Sequence, residues 1–371
     1  VQALGCGSLL SPQRGKATLP GIERIELAPG YSISRVMKGS WQLAGGHGDM
    51  DVAGAVADMR RFVEAGITTF DCADIYTGVE ELIGAFLRVS RDAVRSGEVP
   101  PIQVHTKCVP DLDRLPTLSR LDVEATVDRS LRRLGVEQLD LVQLHWWDYS
   151  IPGYVDAAQW LHDLEKRGKV RHLGVTNFDV PHLEEILDAG IPVLSNQVQY
   201  SLLDRRPEPE MASFCRTHGI SLLCYGTVAG GLLSDRYLGA AEPSPPYENR
   251  SLTKYKLIVD EFGDWRLFQS LLETVRAIAD RHGVSLSAVA SRYVLEKPAV
   301  AAVIVGARND RHVSDIAGLC SFRFDAADFA ALGDVLRRAR GPKGPVYGLE
   351  RIRDGAHGAI MRYNLQKETP T

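Results

Sequence analysis

Apolar residues along this chain recur in two alternating rhythms, one helical and one a short β-branched run, with glycines at the joints between them. Val52, Val56, Met59 and Val63 fall on one helical face behind the candidate cap Asp51. Gly66 then takes the position after the helix, and Ile67 to Phe70 reads as a strand with Asp71 directly behind it. Val123, Val127, Leu131 and Leu134 form a second stripe that stops at Gly135, before a buried strand from Leu139 to Leu144 and then His145. The same grammar returns with Trp160, Leu161, Leu164, Gly168 and the strand Val170 to Val175. It recurs with Gly190 before Val193 to Val198, Gly219 before Ile220 to Tyr225, and Gly283 before Ala301 to Val305. Strands at Arg35 to Trp41 and Ile102 to Thr106 complete a set of eight, nearly all followed by helices.

Eight such units predict an α/β chain closed into a (β/α)8 TIM barrel. An open Rossmann sheet competes, but its phosphate fingerprint is missing: Gly5, Cys6 and Gly7 lead to Leu10 where the third glycine belongs, and no strand precedes them. Ahead of the barrel, Ile22 to Ile33, divided by Pro29 and Gly30, reads as a hairpin that plugs its bottom. Two stretches break the rhythm. Tyr237 to Trp265, with Pro243, Pro245 and Pro246, is too long and irregular for an ordinary β/α connection and is expected to form a lid-like loop on the ligand face. Gly341 to Thr371 is a C-terminal extension without sustained period, either packed or a tail. The expected partition is a lead over 1–21, one barrel over 22–340 and the extension over 341–371.

Composition narrows the function. At 371 residues and 44% hydrophobic, the chain carries enough apolar material for a sizeable core, and 43 basic against 47 acidic residues leave a net charge of −4, which argues against nucleic acid or another polyanion as partner. The cysteines at 6, 72, 108, 215, 224 and 320 form no C-x-x-C pair, pointing away from a disulfide framework or a metal site and toward a reducing compartment. Without an uninterrupted apolar run of membrane length the expectation is a soluble, cytoplasmic protein. Arg14 and Lys16, with no acid before Glu23, leave open an organelle transit remnant and hence a stroma or matrix location. Oligomeric state is not legible.

Chemistry collects where strands end on the C-terminal face of a barrel. Asp71, Lys107 and His145 end three successive strands, and Tyr76 lies just beyond the first. Together they read as a proton-delivery site: the Lys107 ammonium is expected to lower the pKa of the Tyr76 phenol, Asp71 to keep Lys107 charged, and His145 to hydrogen-bond the oxygen of a bound carbonyl. Trp41 and the pair Trp146 and Trp147 fall on loops beside this site and are candidates for an apolar substrate wall, with core packing the alternative.

From about Ser34 to Arg340 the sequence resembles the aldo-keto reductases. FDCADIY at 70–76, HTKC at 105–108 and LDLVQLH at 139–145 are similar to the segments that bear the family's catalytic Asp, Tyr, Lys and His. The resemblance implies a catalytic tetrad of Asp71, Tyr76, Lys107 and His145, with Tyr76 as general acid in an NADPH-dependent reduction of a small-molecule aldehyde or ketone. GVTNF at 174–178 and NQVQY at 196–200 resemble the segments that hold the nicotinamide carboxamide, implying Thr176, Asn177 and Gln197, and Tyr225 is implied to stack on the ring. The run GTVAGGLLSDRY from Gly226, through Gly230 and Leu232, is similar to the pyrophosphate loop. IVGARNDRH at 304–312 resembles the adenosine-phosphate segment, implying Gly306, Arg308 and His312, with Arg308 on a 2′-phosphate and NADP favoured over NAD. His312 and Ile316 depart from the residues usual there. Because the same family resemblance extends to channel-associated subunits, a nicotinamide-sensing binding subunit is the alternative. A flavin or phosphate-binding barrel leaves Thr176, Asn177, Gln197 and the tetrad unexplained.

Overall fold

The structure, a computed structural model, describes residues 21–44, 52–307 and 309–366. Two strands, β1 (Arg24–Ala28) and β2 (Tyr31–Ser34), form an antiparallel hairpin whose turn contains Gly30 at φ 71°. The parallel strands β3 (Val36–Gly39), β4 (Thr69–Asp71), β5 (Gln103–Cys108), β6 (Leu141–His145), β7 (Leu173–Thr176), β8 (Ser195–Gln199), β9 (Ser221–Tyr225) and β10 (Val300–Gly306) close on themselves, with β10 beside β3. Closure leaves no free sheet edge. The strands begin one to three residues later than their hydrophobic runs in several units. Leu139 and Val170, for example, share only an isolated bridge ahead of β6 and β7.

Several helix ends follow from their sequence. Ser119 and Asp122 make a reciprocal capping box at the start of Arg120–Leu134, and Gly135 closes that helix at φ 68°. Val123, Val127 and Leu134 are buried from the expected stripe, while Leu131 is half-buried. Asp264 caps Trp265–His282, and Gly283 ends it. Where helices Val79–Arg95 and Arg120–Leu134 meet, a Cβ on Gly84 would lie 2.3 Å from the Arg133 carbonyl oxygen, so only glycine permits that approach. The main core lies between barrel and helices, with Phe62, Phe70, Phe86, Phe262 and Phe268 at 1% exposure or less, each worth roughly 1.5–3 kcal/mol of apolar burial.

The hairpin covers the N-terminal end of the barrel. Tyr31 and Ile33 join Met37, Leu223, Ala302 and Ile304 in a separate apolar cluster, and the Tyr31 hydroxyl meets His105 Nε2 at 2.9 Å. Burial holds His105 neutral, its pKa brought down to about 3.

Both irregular stretches carry more structure than their sequences suggest. Within 237–265 lies the helix Arg250–Phe262, capped by Asn249 and burying Leu252, Tyr255, Ile258, Val259 and Phe262. Its apolar stripe is diluted by Lys254, Lys256 and the prolines ahead of it, which hid it from the pattern. The extension runs across the C-terminal face of the barrel as a packed strap. Arg340 N bonds the Phe262 carbonyl, Glu350 bonds Arg206, and Tyr363 accepts from Leu112 N. Among the described residues no helix is long and apolar enough to cross a membrane.

Candidate active site

The C-terminal ends of β4, β5 and β6 bring the expected tetrad together. Lys107 Nζ donates to both Asp71 carboxylate oxygens, at 2.8 and 2.9 Å, and to the Cys72 carbonyl at 2.8 Å. Both partners are nearly sealed from solvent, with side chains 5% and 6% exposed. The ammonium lies 5.6 Å from the Tyr76 ring centroid. Trp41 closes the other side of Tyr76 edge-on at 5.0 Å.

The expected depression of the Tyr76 pKa is overturned. Burial first, and then the negative charge of Asp71, hold the phenol well above its ordinary value. Burial removes the water that would solvate a phenolate, and Asp71, which with the Cys72 carbonyl holds the Lys107 ammonium, adds a like charge beside it. Tyr76 therefore stays a protonated phenol.

His145 is also buried. Its Nδ1 lies 3.1 Å from the Thr176 carbonyl oxygen, which can only accept, so Nδ1 carries the proton and Nε2 is left as an acceptor toward the pocket. Burial, helped by the positive charge of Arg351, brings its pKa down to about 3 and keeps the ring neutral. Trp147 stands edge-on to it at 4.3 Å and Tyr347 at 5.5 Å.

The amide-holding residues adjoin the tetrad. Gln197 Nε2 donates to Asp71 Oδ1 at 2.6 Å, and Asn177 Oδ1 accepts from the Tyr225 hydroxyl at 2.9 Å. Asn177 adopts φ 63°, a left-handed conformation that turns its side chain across the strand ends. Thr176 Oγ1 is buried without a partner among the described residues.

Chain comparison decides the family at this point. A sequence model described as the aldo/keto reductase family matches residues 35–337. This chain is an aldo/keto reductase family member. It is similar to the chloroplastic pyridoxal reductase of Arabidopsis thaliana, 31% identical over 70% of this chain and 70% of that protein. Flagellar radial spoke protein 5 of Chlamydomonas reinhardtii is 30% identical over 60% of this chain, a match that spans only 49% of the spoke protein. Among solved structures, the glycerol dehydrogenase AKR11B4 from Gluconobacter oxydans superposes with a TM-score of 0.70 at 25% identity, covering 89% of this chain and 98% of that one. The family is one of oxidoreductases.

Several expected contacts of this reductase fold differ in detail. Trp146 does not join the pocket: it is fully buried, its Nε1 donates to the carbonyls of Asp148 and Ile151, and its ring packs over Gly153. Trp147, edge-on to His145, lies beside the site instead. Leu232 is no free donor, because its N–H is committed to the Ala229 carbonyl and its side chain is fully buried. Gly226 and Gly230, at φ 75° and 64°, do form a small-residue cradle, and Tyr255 fills it: a Cβ at Gly226 would fall 2.4 Å from the Tyr255 hydroxyl. Gly306 makes room for Gln42, whose Nε2 would lie 2.2 Å from a Cβ there. His312 is exposed at the surface, with Nδ1 3.4 Å from Asp315 Oδ2. Arg308, like the cap Asp51, lies outside the described residues.

Sequence reasoning missed Lys254, Tyr255, Tyr347 and Arg351. Lys254 Nζ stands over the Tyr225 ring at 5.1 Å and faces the Tyr255 and Tyr347 rings at 5.5 and 6.0 Å. Tyr347 is buried at φ 58°. The expected lid over 237–265 brought the segment of Lys254 and Tyr255 to the ligand face without singling out these side chains, while nothing in the linear pattern links Tyr347 and Arg351 to the barrel mouth.

Proposed function

We propose that this chain reduces the carbonyl group of an aldehyde or ketone to an alcohol, with NADPH as reductant and Tyr76 as general acid. The observation that carries the reading is the convergence of a protonated, half-buried phenol with the Lys107–Asp71 ion pair and a neutral His145 at one barrel end. A phenol held above its ordinary pKa still suits the task, because the alkoxide developing on a reduced carbonyl is a stronger base than a phenolate. Once the proton leaves, the Lys107–Asp71 pair remains beside the ring, its ammonium 5.6 Å from the ring centroid. With its acceptor nitrogen toward the pocket, His145 holds the hydroxyl hydrogen of the alcohol form, so Tyr76 alone supplies a proton to the carbonyl oxygen.

The residues fit a nicotinamide dinucleotide. Thr176 Oγ1 is an orphaned buried hydroxyl beside Asn177 and Gln197, suited to a carboxamide, and the ring face of Tyr225 already receives a cation. Gly226 and Gly230 would shape the cradle for a phosphate once Tyr255, which fills it, gives way, and Lys254 stands nearby over the Tyr225 ring. Bound there, the cofactor would supply the hydride. The pyridoxal reductase relative supports a carbonyl as the acceptor. NADPH over NADH rests on Arg308; the acidic side chains at the same end of the barrel, Asp58 beside Asp310, and Asp315 beside His312, favour the unphosphorylated ribose of NADH as the second reading.

Tyr76→Phe tests the reading. Turnover should fall about 10²–10⁴-fold while fluorescence titration with NADPH is little changed. Full activity in the variant refutes the acid role. Tight NADPH binding by the unaltered protein, with no turnover over a broad aldehyde and ketone panel, would instead establish the binding-subunit alternative. Titration with both dinucleotides decides between NADPH and NADH.

A further inference from the structure

The strap over the barrel mouth carries a guanidinium that has no counter-ion among the described residues. Arg351 ends the short helix Gly348–Arg351. Its Nη2 donates to the Trp146 carbonyl at 3.2 Å and the Asn177 carbonyl at 3.0 Å, while Nε and Nη1 are buried with no partner among the described residues. Neighbouring arginines are treated differently: Arg353 pairs with Asp148, and Arg206 is held between Asp204 and Glu350. Among the described residues no carboxylate pairs with Arg351. Covered N–H groups on a cation are costly unless an acceptor meets them, and an anion is the acceptor that also balances the charge.

Its place in the fold says which anion. The two carbonyls that hold Arg351 belong to the loops directly after β6 and β7, the strands that deliver His145 and Thr176. The guanidinium lies 5.2 Å from the Tyr347 ring, and Tyr347 lies 5.5 Å from His145. One aromatic ring therefore separates Arg351 from the histidine. Tyr149, 4.0 Å beneath the guanidinium, fixes its plane from the other side.

We propose that Arg351 is the anion anchor of the substrate pocket, and that the favoured substrates are carbonyl compounds carrying a carboxylate or phosphate about one ring's width from the carbonyl. This rests on the carbonyl-reductase reading above. Arg351 is then a specificity-determining residue contributed by the extension, a part of the chain remote from every strand of the barrel.

The test compares three aldehydes with the full chain and NADPH: 4-carboxybenzaldehyde, 4-formylphenyl phosphate and the neutral methyl 4-formylbenzoate. The unaltered protein should prefer at least one anion to the ester in kcat/KM by about 10- to 100-fold, mainly through KM, and which anion wins separates carboxylate from phosphate. Arg351→Gln should erase the preference, and Arg351→Lys should restore part of it. Equal use of anion and ester by the unaltered protein overturns the proposal, and does so even if no variant folds. A preference that survives Arg351→Gln overturns it as well, as does a matching loss of NADPH affinity in that variant, which would assign Arg351 to the cofactor. A readout free of turnover is calorimetric binding of 4-(hydroxymethyl)benzoate to protein saturated with NADP+. Binding that is about tenfold weaker in Arg351→Gln, alongside failure to reduce any aldehyde, would sink the reductase reading and leave the anchor standing.

Discussion

Replacing Glu350 with Gln removes a buried negative charge and almost nothing of the side chain's shape. Glu350 and Arg206 are each 1% exposed, joined by Nη1 to Oε2 at 2.8 Å and Nη2 to Oε1 at 3.0 Å, and Arg206 bonds Asp204 with its remaining edge. Burial by itself raises the Glu350 carboxyl. Hydrogen bonds from Arg206 and its charge more than reverse this, bringing the pKa from 4.5 down to about 2. That depression corresponds to about 3 kcal/mol in favour of the folded, charged form. An acid whose pKa falls on folding contributes stability above its unfolded value and loses it as pH drops through the folded one. Glu350→Gln should therefore cost about 3 kcal/mol in urea unfolding at neutral pH. The gap to the unaltered protein should be full above pH 4.5 and close as pH falls toward about 2. Hydrogen exchange should locate the loss in the strap around Tyr347 to Arg351 before the barrel strands. A gap below about 0.5 kcal/mol at neutral pH, or one that does not narrow in acid, would refute the reasoning.

Gly84→Ala should destabilise by about 1–3 kcal/mol, because its Cβ meets backbone, 2.3 Å from the Arg133 oxygen and 3.0 Å from Leu134, rather than a side chain that could swing away; an unchanged thermal midpoint would contradict the close helix contact. Asp140 responds to pH in the opposite sense from Glu350: burial outweighs its hydrogen bond from Val104 N and the charge of Arg171, raising its pKa from 3.8 to about 6. Its charged form costs stability as pH rises through that window, so Asp140→Asn should gain about 1–3 kcal/mol at pH 8 and nothing at pH 3, measured by urea unfolding. A variant that is less stable at pH 8 would reverse the sign.

What could be read from the chain was whatever is periodic or local. Gly66, Gly135, Gly168, Gly190, Gly219 and Gly283 all adopt the positive φ that their places after a helix require, which is why the units could be counted and the barrel inferred. Asp71, Lys107 and His145 were legible because a strand end aims its side chain, and three in succession aim at one place. The choice between Trp146 and Trp147 was not legible, since the chain leaves the strand there and the alternation that would assign faces ends with it. Helix Arg250–Phe262 escaped for another reason: its polar positions Lys254 and Lys256 face inward, where rings and carboxylates receive them, and an inward cation mimics a solvent-facing one in a hydropathy pattern.

The amino-acid order alone determined the repeating strand–helix unit, the hairpin ahead of it and the four residues that share one barrel end, because each depends on short-range spacing. Tertiary structure decided the environment of those residues: a phenol raised by burial and not lowered by its lysine, an imidazole with its proton turned to Thr176, and a strap that carries Tyr347, Glu350 and Arg351 to the barrel mouth. Electrostatic fields and desolvation depend on what packs around a group in three dimensions, and most of what surrounds this site comes from far along the chain.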